Sequence, residues 1–448
     1  MRRFRGGEIA LSAEAEPFLM NDARAMGLRN LLSAISATAI DDQFFGREWH
    51  TIEAATNDPS LVASDDDQCQ GYGGARRHAV SFTQGGRAAQ GDVSKGVKVS
   101  RYLFFVSELY AFAILRPLQQ VIRARGDEAA WFLERESLAE FLHADEQRLS
   151  SVRDVIKWQS EAVFVPGNWV PSFFPGLKVE VFHGFSVGKR SESRGHFRVR
   201  GTFDLYCTQG PDTTAPFEML QRELGYFRVK ETGWPKLDPL FQGRYARRSA
   251  TRPVVLYAST FTESITSARV LKDTIAESAR RGDWQWLVTL HPKMAPEVIA
   301  AYRELAGPHL RFSMTDDILE LYAQADVLLS DTSSVVPEFL TQHKPVVTFR
   351  NRKPGPQLLD VQQVDEVLPA VRTAIERPPE LMRAIREYAD RIHPYRDGKS
   401  SERVLEAARS AIRQGTIGLP AKPLNLWRRL QARKRLGYWG LSASSAKR

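Results

Sequence analysis

The order of apolar and polar positions divides the chain into a part without periodicity and a part with it. Residues 1–97 show no sustained strand or helix period and are rich in Ala, Gly, Ser, Asp and Arg. A segment without a recurring apolar face cannot bury enough surface to offset the entropy that is lost on ordering. We therefore expect residues 1–97 to be disordered, or to be a non-native extension that precedes the true start.

From residue 102 onward, short apolar runs alternate with amphipathic segments, which predicts buried strands with helices between them. The predicted strands of the first half are 102–106, 130–133, 162–165, 179–182, 205–208 and 227–231. Those of the second half are 254–257, 285–290, 310–312, 327–329 and 345–349. Helices are predicted at 109–125, 137–143, 145–158, 214–224, 263–280, 315–325, 380–392 and 401–412.

This alternation predicts an α/β protein with largely parallel, doubly wound sheets. A segment rich in arginine at 239–252 is typical of a linker and separates two such sheets. We therefore predict two Rossmann-like domains that face each other across a cleft, at 98–240 and 241–412, followed by a basic tail at 413–448.

The composition is that of an ordinary globular protein. The chain has 448 residues, of which 43% are hydrophobic, and its two cysteines, Cys69 and Cys207, match neither a disulfide framework nor a metal-ligand spacing. We expect a reducing compartment and no bound metal. The sequence contains no apolar run of about 18 residues and no apolar N-terminal signal, so neither a transmembrane helix nor a secretory signal is predicted.

The net charge of +9 is concentrated at the C-terminus. Residues 415–448 carry eight basic and no acidic side chains, and without them the chain is nearly neutral. This tail also contains Leu426, Trp427 and Leu430 on one side of a possible helix. A helix of that kind would lie in a membrane interface, attracted by anionic lipid. We predict an anionic membrane partner for residues 424–439 and no nucleic acid; a solvated or packed tail is the alternative.

The most informative stretch is the short apolar strand at 327–329 and the polar residues that follow it. Asp331, Thr332, Ser333 and Ser334 stand where an apolar-periodic segment resumes, which predicts a strand, a turn and a helix. The start of such a helix presents backbone N–H groups and a positive dipole end, so the residues predict a phosphate site. The alternative is an ordinary helix N-cap.

Other polar residues also follow predicted strands. They are His183 with Gly184, Gly233, Ser259 with Thr260, and His291. Ligands of open α/β sheets gather at the carboxyl ends of the strands, so these residues can converge on one cleft. Gly184 permits a sharp turn that would project His183 into that cleft. Taken singly, each histidine is more often structural, and their common placement is the argument for a site.

These residues form an ordered set of motifs that resembles the CDP-glycerol glycerophosphotransferases, which build teichoic-acid-type polymers. The resemblance covers roughly residues 100–412. The motifs are His183-Gly184 with Lys189, Thr232-Gly233-Trp234-Pro235 with Asp238, Tyr257-Ala258-Ser259-Thr260, Leu290-His291-Pro292, Ser330-Asp331-Thr332-Ser333-Ser334-Val335, and Asp397-Gly398-Lys399-Ser400. The family has a GT-B architecture, in which two Rossmann-like domains enclose the active site.

The resemblance implies that an acceptor hydroxyl attacks the β-phosphorus of CDP-glycerol and expels CMP. His183 would be the general base, and His291 would act with it by binding the pyrophosphate. The implied donor-binding residues are Lys189, Thr260, Asp331, Thr332, Ser333 and Ser334. The implied supporting residues are Gly184, Gly233, Asp238 and Glu338. No metal and no cofactor are expected.

The implied partners are CDP-glycerol or a related CDP-polyol as donor and a polymer or lipid-linked acceptor. We therefore expect a cytoplasmic protein that associates peripherally with the inner face of the cell membrane. One alternative is a GT-B glycosyltransferase or a nucleotide-sugar epimerase-like enzyme of surface polysaccharide synthesis. A second is a non-enzymatic basic adaptor for membrane or RNA. The released nucleotide distinguishes the first alternative, because sugar transfer releases a nucleoside diphosphate.

Overall fold

We describe a computed structural model of the chain over residues 99–185, 197–245, 251–315, 317–415 and 417–440. The predictions for residues 1–97 and for Lys189 lie outside these ranges. Two six-stranded sheets, all of whose strand pairs are parallel, form the framework. The predicted α/β class with two sheets is confirmed.

The first sheet has the strand order β2-β1-β3-β4-β5-β6. Its strands are β1 (Arg101–Val106), β2 (Glu128–Leu133), β3 (Ala162–Val165), β4 (Leu177–Glu180), β5 (Leu205–Thr208) and β6 (Arg228–Glu231). The helices among them are α1 (Tyr110–Ala124), α2 (Val152–Trp158), α3 (Pro211–Leu224) and the short α4 (Asp238–Phe241), with 3-10 turns at Glu136–Phe141 and Pro235–Leu237. A capping box of Ser151 and Asp154 starts α2, so the predicted helix at 145–158 begins later than expected.

The second sheet has the order β12-β11-β10-β7-β8-β9. Its strands are β7 (Val254–Ser259), β8 (Gln285–Leu290), β9 (Leu310–Phe312), β10 (Val327–Ser330), β11 (Val346–Phe349) and β12 (Leu359–Val361). Its helices are α5 (Ala268–Arg281), α6 (Pro296–Arg303), α7 (Ile318–Gln324), α8 (Val335–Leu340) and α9 (Val367–Glu376), with a 3-10 turn at Val364–Glu366. Three helices follow: α10 (Pro379–Ile392), α11 (Ser400–Gln414) and α12 (Leu426–Arg435).

Both faces of each sheet are buried. Along β1, Tyr102 and Phe104 belong to one apolar cluster and Leu103 to another, as the period of a strand requires. Leu256 of β7 joins the cluster of Tyr102, whereas its neighbour Tyr257 belongs to a third cluster. One apolar cluster is therefore shared by the two sheets, and each sheet has a second cluster on its other face.

Helix α11 returns from the second half of the chain to the first. Its Val404 and Ala408 lie in the shared cluster with Leu115 of α1. The guanidinium of Arg409 also pairs with Asp127, at 3.1 Å, directly before β2. The predicted domain limits of 98–240 and 241–412 stay a prediction, but α11 packs on the first sheet although it follows the second.

Helix α12 also packs on the first half of the chain. Its Ala432 is buried, the guanidinium of Arg433 lies 5.0 Å from the ring centre of Phe173, and Arg435 pairs with Glu134. Leu426, by contrast, is 59% exposed. Within the described ranges, no helix is long and apolar enough to cross a membrane.

Candidate active site

The predicted phosphate segment follows β10, which lies beside β7 in the second sheet. The connections that leave β7 and β10 run to opposite sides of this sheet, so a crevice opens between their carboxyl ends. Asp331 spans it. Its carboxylate accepts hydrogen bonds from the backbone N–H groups of Thr260 (3.0 Å) and Ser267 (2.9 Å) and from the hydroxyls of Ser259 (2.5 Å) and Ser267 (2.9 Å).

Asp331 is fully buried, and burial raises its pKa, while the hydrogen bonds from Ser259, Thr260 and Ser267 act in the opposite direction. These contacts hold the loop between β7 and α5, which is why α5 begins at Ala268 and not near residue 263 as predicted. The observed role of Asp331 is therefore to support the loop. Direct contact of Asp331 with a donor stays a prediction.

The next three residues form the turn into α8. Thr332 is buried, and its hydroxyl accepts the backbone N–H of Arg352 at 3.0 Å. Ser333 is also buried and donates its N–H to the carbonyl of Asp331 at 2.9 Å. Ser334 precedes the helix, is exposed and makes no side-chain capping bond. Of these hydroxyls, that of Ser334 is thus the one that faces solvent.

His183 lies beyond the carboxyl end of β4, and the turn that presents it is made by the residue before it. Phe182 has a φ of 56°, in the left-handed region that a bulky residue rarely adopts at a cost of about 1–3 kcal/mol. Its ring packs against Phe217 at 5.2 Å, and its carbonyl accepts the indole N–H of Trp234 at 3.2 Å. Gly184, where the sequence interpretation placed this turn, lies in the same bend but is not left-handed.

The side chain of His183 is exposed and stacks on Tyr110 with ring centres 5.3 Å apart and planes inclined by 28°. Its Nδ1 lies 3.3 Å from the carbonyl oxygen of Pro166. A carbonyl only accepts hydrogen bonds, so Nδ1 carries the proton in this contact. In the neutral ring the lone pair is then on Nε2, which can accept a proton.

His291 follows β8 and has the opposite arrangement. Its Nδ1 accepts the backbone N–H of Lys293 at 3.0 Å, so Nδ1 is unprotonated and Nε2 carries the proton. Its ring lies against Phe261 with centres 4.4 Å apart. The two exposed histidines therefore differ in tautomer: the proton is on Nδ1 in His183 and on Nε2 in His291.

Gly233 and Asp238 support the joint between the first sheet and α11. Gly233 has a φ of 79°, and a Cβ there would lie 2.5 Å from the hydroxyl oxygen of Ser400 and 3.2 Å from Nε2 of His393. Asp238 is buried, and its carboxylate accepts the N–H groups of Ser400 (2.8 Å) and Ser401 (2.6 Å) at the start of α11. Burial raises the pKa of Asp238 and these hydrogen bonds oppose the rise.

Glu338 lies in α8, directly after the phosphate segment. Its carboxylate accepts hydrogen bonds from Nζ of Lys236 at 2.7 Å and from the hydroxyl of Tyr322 at 3.1 Å. Both partners of this ion pair are largely buried, at 16% and 6% side-chain exposure. Lys236 follows β6 and Glu338 follows β10, so the carboxyl ends of the two sheets approach each other here.

The sequence interpretation missed several residues of this region. Tyr110 and Phe261 each provide the ring on which a histidine rests, and both stand a few residues beyond the end of a predicted strand. His393 is 2% exposed and accepts the backbone N–H of Trp234 at 3.0 Å. It lies beside the Asp-Gly-Lys-Ser motif but was not singled out. Over the described residues, no three His, Cys, Asp or Glu side chains are grouped as metal ligands.

Comparison with known families gives one match, over part of the chain. Residues 214–409 match the family model of CDP-Glycerol:Poly(glycerophosphate) glycerophosphotransferase. The resemblance that the motifs predict is thereby confirmed for these residues, which include the Gly233, His291 and Ser334 motifs. The chain is accordingly a transferase that resembles the CDP-glycerol glycerophosphotransferases. A comparison with curated proteins gives no match.

Solved structures of low sequence identity share the fold. The wall teichoic acid polymerase TagF aligns with a TM-score of 0.52 and 14% identity over 71% of this chain and 90% of its own. A putative UDP-N-acetylglucosamine 2-epimerase from Listeria monocytogenes aligns with a TM-score of 0.53 and 11% identity, over 73% of this chain and 100% of its own. The S. aureus MnaA–UDP structure aligns with a TM-score of 0.52 and 14% identity, over 72% of this chain and 99% of its own. The predicted GT-B-like fold is confirmed.

Proposed function

We propose that this protein transfers glycerol phosphate, or a related polyol phosphate, from a CDP-activated donor to an acceptor hydroxyl and releases CMP. The observation that carries the proposal is the different hydrogen bonding of the two exposed histidines. Nε2 of His183 can take a proton, whereas Nε2 of His291 can donate a hydrogen bond. A phosphoryl transfer needs both functions, one at the attacking oxygen and one at the phosphates.

In this mechanism the acceptor oxygen forms a bond to the β-phosphorus of the donor while the bond from that phosphorus to the bridging oxygen breaks. The bridging oxygen leaves with CMP, and the acceptor proton passes to Nε2 of His183. His291 donates to phosphate oxygens on which negative charge accumulates. Ser334 follows β10 and is exposed, which supports a role for its hydroxyl as another hydrogen-bond donor to the phosphates. Lys189, Thr260, Thr332 and Ser333 complete the proposed donor site.

The exposed surface of the C-terminal segment supports binding to a membrane, where a lipid-linked acceptor would lie. Leu424, Leu426, Trp427, Leu430 and Trp439 are 67%, 59%, 47%, 46% and 61% exposed. Basic side chains accompany them in and around α12. Apolar residues beside cations suit the interface of an anionic membrane. We therefore propose peripheral binding to the inner face of the cell membrane through residues 424–439.

The epimerase-like and glycosyltransferase alternatives share the fold, and the leaving group separates them from the proposal. We suggest a panel of CDP-glycerol, other CDP-polyols and nucleotide sugars, with identification of the released nucleotide. CMP from a CDP-polyol is expected. His183→Ala should reduce transfer about 10²- to 10⁴-fold without changing donor affinity, because a base acts on the acceptor proton. His143→Ala, at a histidine with 62% side-chain exposure, is the control.

A nucleoside diphosphate released from a sugar donor, with every CDP-polyol inert, would overturn the proposed reaction.

Membrane binding has its own test. The wild-type protein should sediment with vesicles that contain anionic phospholipid, less so at high salt, and the triple variant Leu426→Ser/Trp427→Ser/Leu430→Ser should not. These three residues are exposed, so the variant is expected to fold normally. Equal sedimentation of both proteins would contradict membrane binding through this surface.

A further inference from the structure

The C-terminal segment contacts the first sheet at two opposite ends. Nζ of Lys422 pairs at 2.6 Å with Asp204, which directly precedes β5 and so lies at the amino end of the sheet. Arg435, the last residue of α12, pairs with Glu134, which directly follows β2 at the carboxyl end. These contacts come from a part of the chain that lies beyond the residues 214–409 that match the family model.

The contact with Glu134 is largely buried. The side chain of Glu134 is 4% exposed, and burial raises its pKa, whereas the guanidinium of Arg435 acts in the opposite direction. A carboxylate that is shielded from water in this way is stabilised by a cation beside it. The same guanidinium lies 4.6 Å from the ring centre of Trp169. Arg435 therefore links the end of β2 to the segment between β3 and β4.

This segment, residues 166–176, is called the β3–β4 loop below. The ring of Trp169 packs edge-on against Phe105 of β1, with ring centres 4.9 Å apart. The ring of Phe173 has the guanidinium of Arg433 at 5.0 Å and the ring of Tyr438 at 5.2 Å. The β3–β4 loop is thus packed between a core strand on one side and the C-terminal segment on the other.

The β3–β4 loop begins beside the proposed base. The carbonyl oxygen of Pro166, its first residue, lies 3.3 Å from Nδ1 of His183. This contact puts the ring proton on Nδ1 and leaves the lone pair on Nε2, where the acceptor proton is to go. Pro166 is three residues from Trp169, so a shift of the loop at Trp169 would displace this carbonyl. Without the carbonyl, nothing in this contact keeps the proton on Nδ1.

We propose that Arg435 is a positioning residue for the transfer reaction. Through Glu134 and Trp169 it fixes the β3–β4 loop, and the loop fixes the tautomer of His183. The inference rests on the proposed function, in which Nε2 of His183 takes the proton of the acceptor. Arg435 does not touch the reacting atoms, since it acts through the loop. The helix that we propose to bind the membrane thus also supports the base.

Arg435→Met tests this role with CDP-glycerol and a lipid-free oligo(glycerol phosphate) acceptor, without vesicles, so that membrane binding does not enter the result. We expect kcat to fall about tenfold or more, because a catalytic group that is misplaced by about 1 Å can cost about 10²-fold in rate. The donor affinity and the KM of the acceptor should stay within about twofold of wild type, because Arg435 contacts neither substrate.

The chain offers a matched control at the amino end of the same sheet. Arg101 pairs with Glu128 at 3.0 Å, and its guanidinium lies 5.1 Å from the ring centre of Trp158. It therefore makes the same two kinds of contact as Arg435, but at the end of β1 and β2 that is remote from His183. Arg101→Met should keep the kcat of the wild type.

A second variant separates positioning from stability. Arg435→Met leaves the buried carboxylate of Glu134 without its cation, and Arg435→Met/Glu134→Gln removes that charge. The double variant should recover the melting temperature but keep the low kcat, because its contact with Trp169 is still missing. The tautomer is measured by NMR on protein labelled with ¹⁵N-histidine, with His183 assigned by comparison with His183→Ala. The wild type should carry the proton on Nδ1, and both Arg435 variants should show a mixture of tautomers.

Several results would overturn the positioning role of Arg435. They are a wild-type kcat in both variants, a low kcat with unchanged His183 signals, a parallel loss of donor affinity, and a kcat that returns with the melting temperature in the double variant. A wild-type His183 with its proton on Nε2 would do the same. If no CDP-polyol releases CMP but the tautomer of His183 still depends on Arg435, the proposed reaction fails and the positioning role stands.

Discussion

We expect acid to destabilise this protein through one buried imidazole, that of His393. It lies between α10 and α11, and its Nε2 accepts the backbone N–H of Trp234 at 3.0 Å. A protonated ring cannot accept this hydrogen bond. Burial accordingly lowers the pKa of His393 to about 4 from an ordinary value of 6.5. The fold therefore requires the neutral ring.

The size of the effect follows from these two pKa values. The unfolded chain binds the proton more tightly than the folded chain, so the stabilisation is complete above pH 6.5 and is lost as the pH falls toward 4. Between pH 7.5 and pH 5 the linkage relation gives a loss of about 2 kcal/mol, at about 1.4 kcal/mol per pKa unit. A loss of this size is a large fraction of the stability of a typical domain.

The assay is urea unfolding at pH 7.5 and pH 5 for the wild-type protein and for His393→Gln. The glutamine amide oxygen can accept the N–H of Trp234 but does not titrate. The wild-type protein should lose about 2 kcal/mol more than His393→Gln between the two pH values, and His143→Gln should behave like the wild type. Equal losses in wild type and His393→Gln, or an NMR titration of His393 with a midpoint near 6.5, would refute the reasoning.

Three further predictions concern the supporting residues. Gly233→Ala should lower the free energy of unfolding by about 1–3 kcal/mol more than Gly243→Ala. Both glycines are left-handed, but only at Gly233 would a Cβ lie against other atoms. Equal losses in the two variants would contradict close packing at Gly233. Lys236→Met should lower the free energy of unfolding by about 3–5 kcal/mol, because it leaves the carboxylate of Glu338 buried without its cation. The double variant Lys236→Met/Glu338→Gln should recover most of this loss in urea unfolding. A small loss in the single variant would show that the pair is solvated. Ser334→Ala should weaken CDP-glycerol binding about two- to tenfold in calorimetry with an unchanged melting temperature, and unchanged affinity would remove its hydroxyl from the donor site.

The sequence predicts the strands well because buried parallel strands are continuous apolar runs. Both sheets and the order of the elements follow from that pattern. The strand β12 (Leu359–Val361) was not predicted, since it has three residues, lies at the edge of its sheet and is only partly buried. The helix α9 (Val367–Glu376) was also absent from the prediction, although Val367 and Val371 are fully buried at helical spacing.

The site was predictable as a set of strand-end residues but not as a set of roles. A carboxylate directly after a strand suggests a ligand, and only the fold brings the N–H of Ser267 to Asp331. The turn before His183 depends on Trp234, which lies 52 residues from Phe182 in sequence and holds its carbonyl. Local sequence favours Gly184 for such a turn. These details depend on contacts between segments that are distant in sequence, and the hydrophobic periodicity of the sequence does not predict such contacts.

The return of α11 to the first sheet affects how the protein can be made. Arg409 and Asp127, which hold α11 beside the first sheet, are 282 residues apart. At a synthesis rate of about 5–20 residues per second, an interval on the order of tens of seconds separates the two segments as they leave the ribosome. During that time the face of α1 that receives Val404 and Ala408 has no cover from α11. The first half of the chain is therefore translated early but reaches its final packing late, and its uncovered apolar face is a surface that a chaperone can bind during that interval.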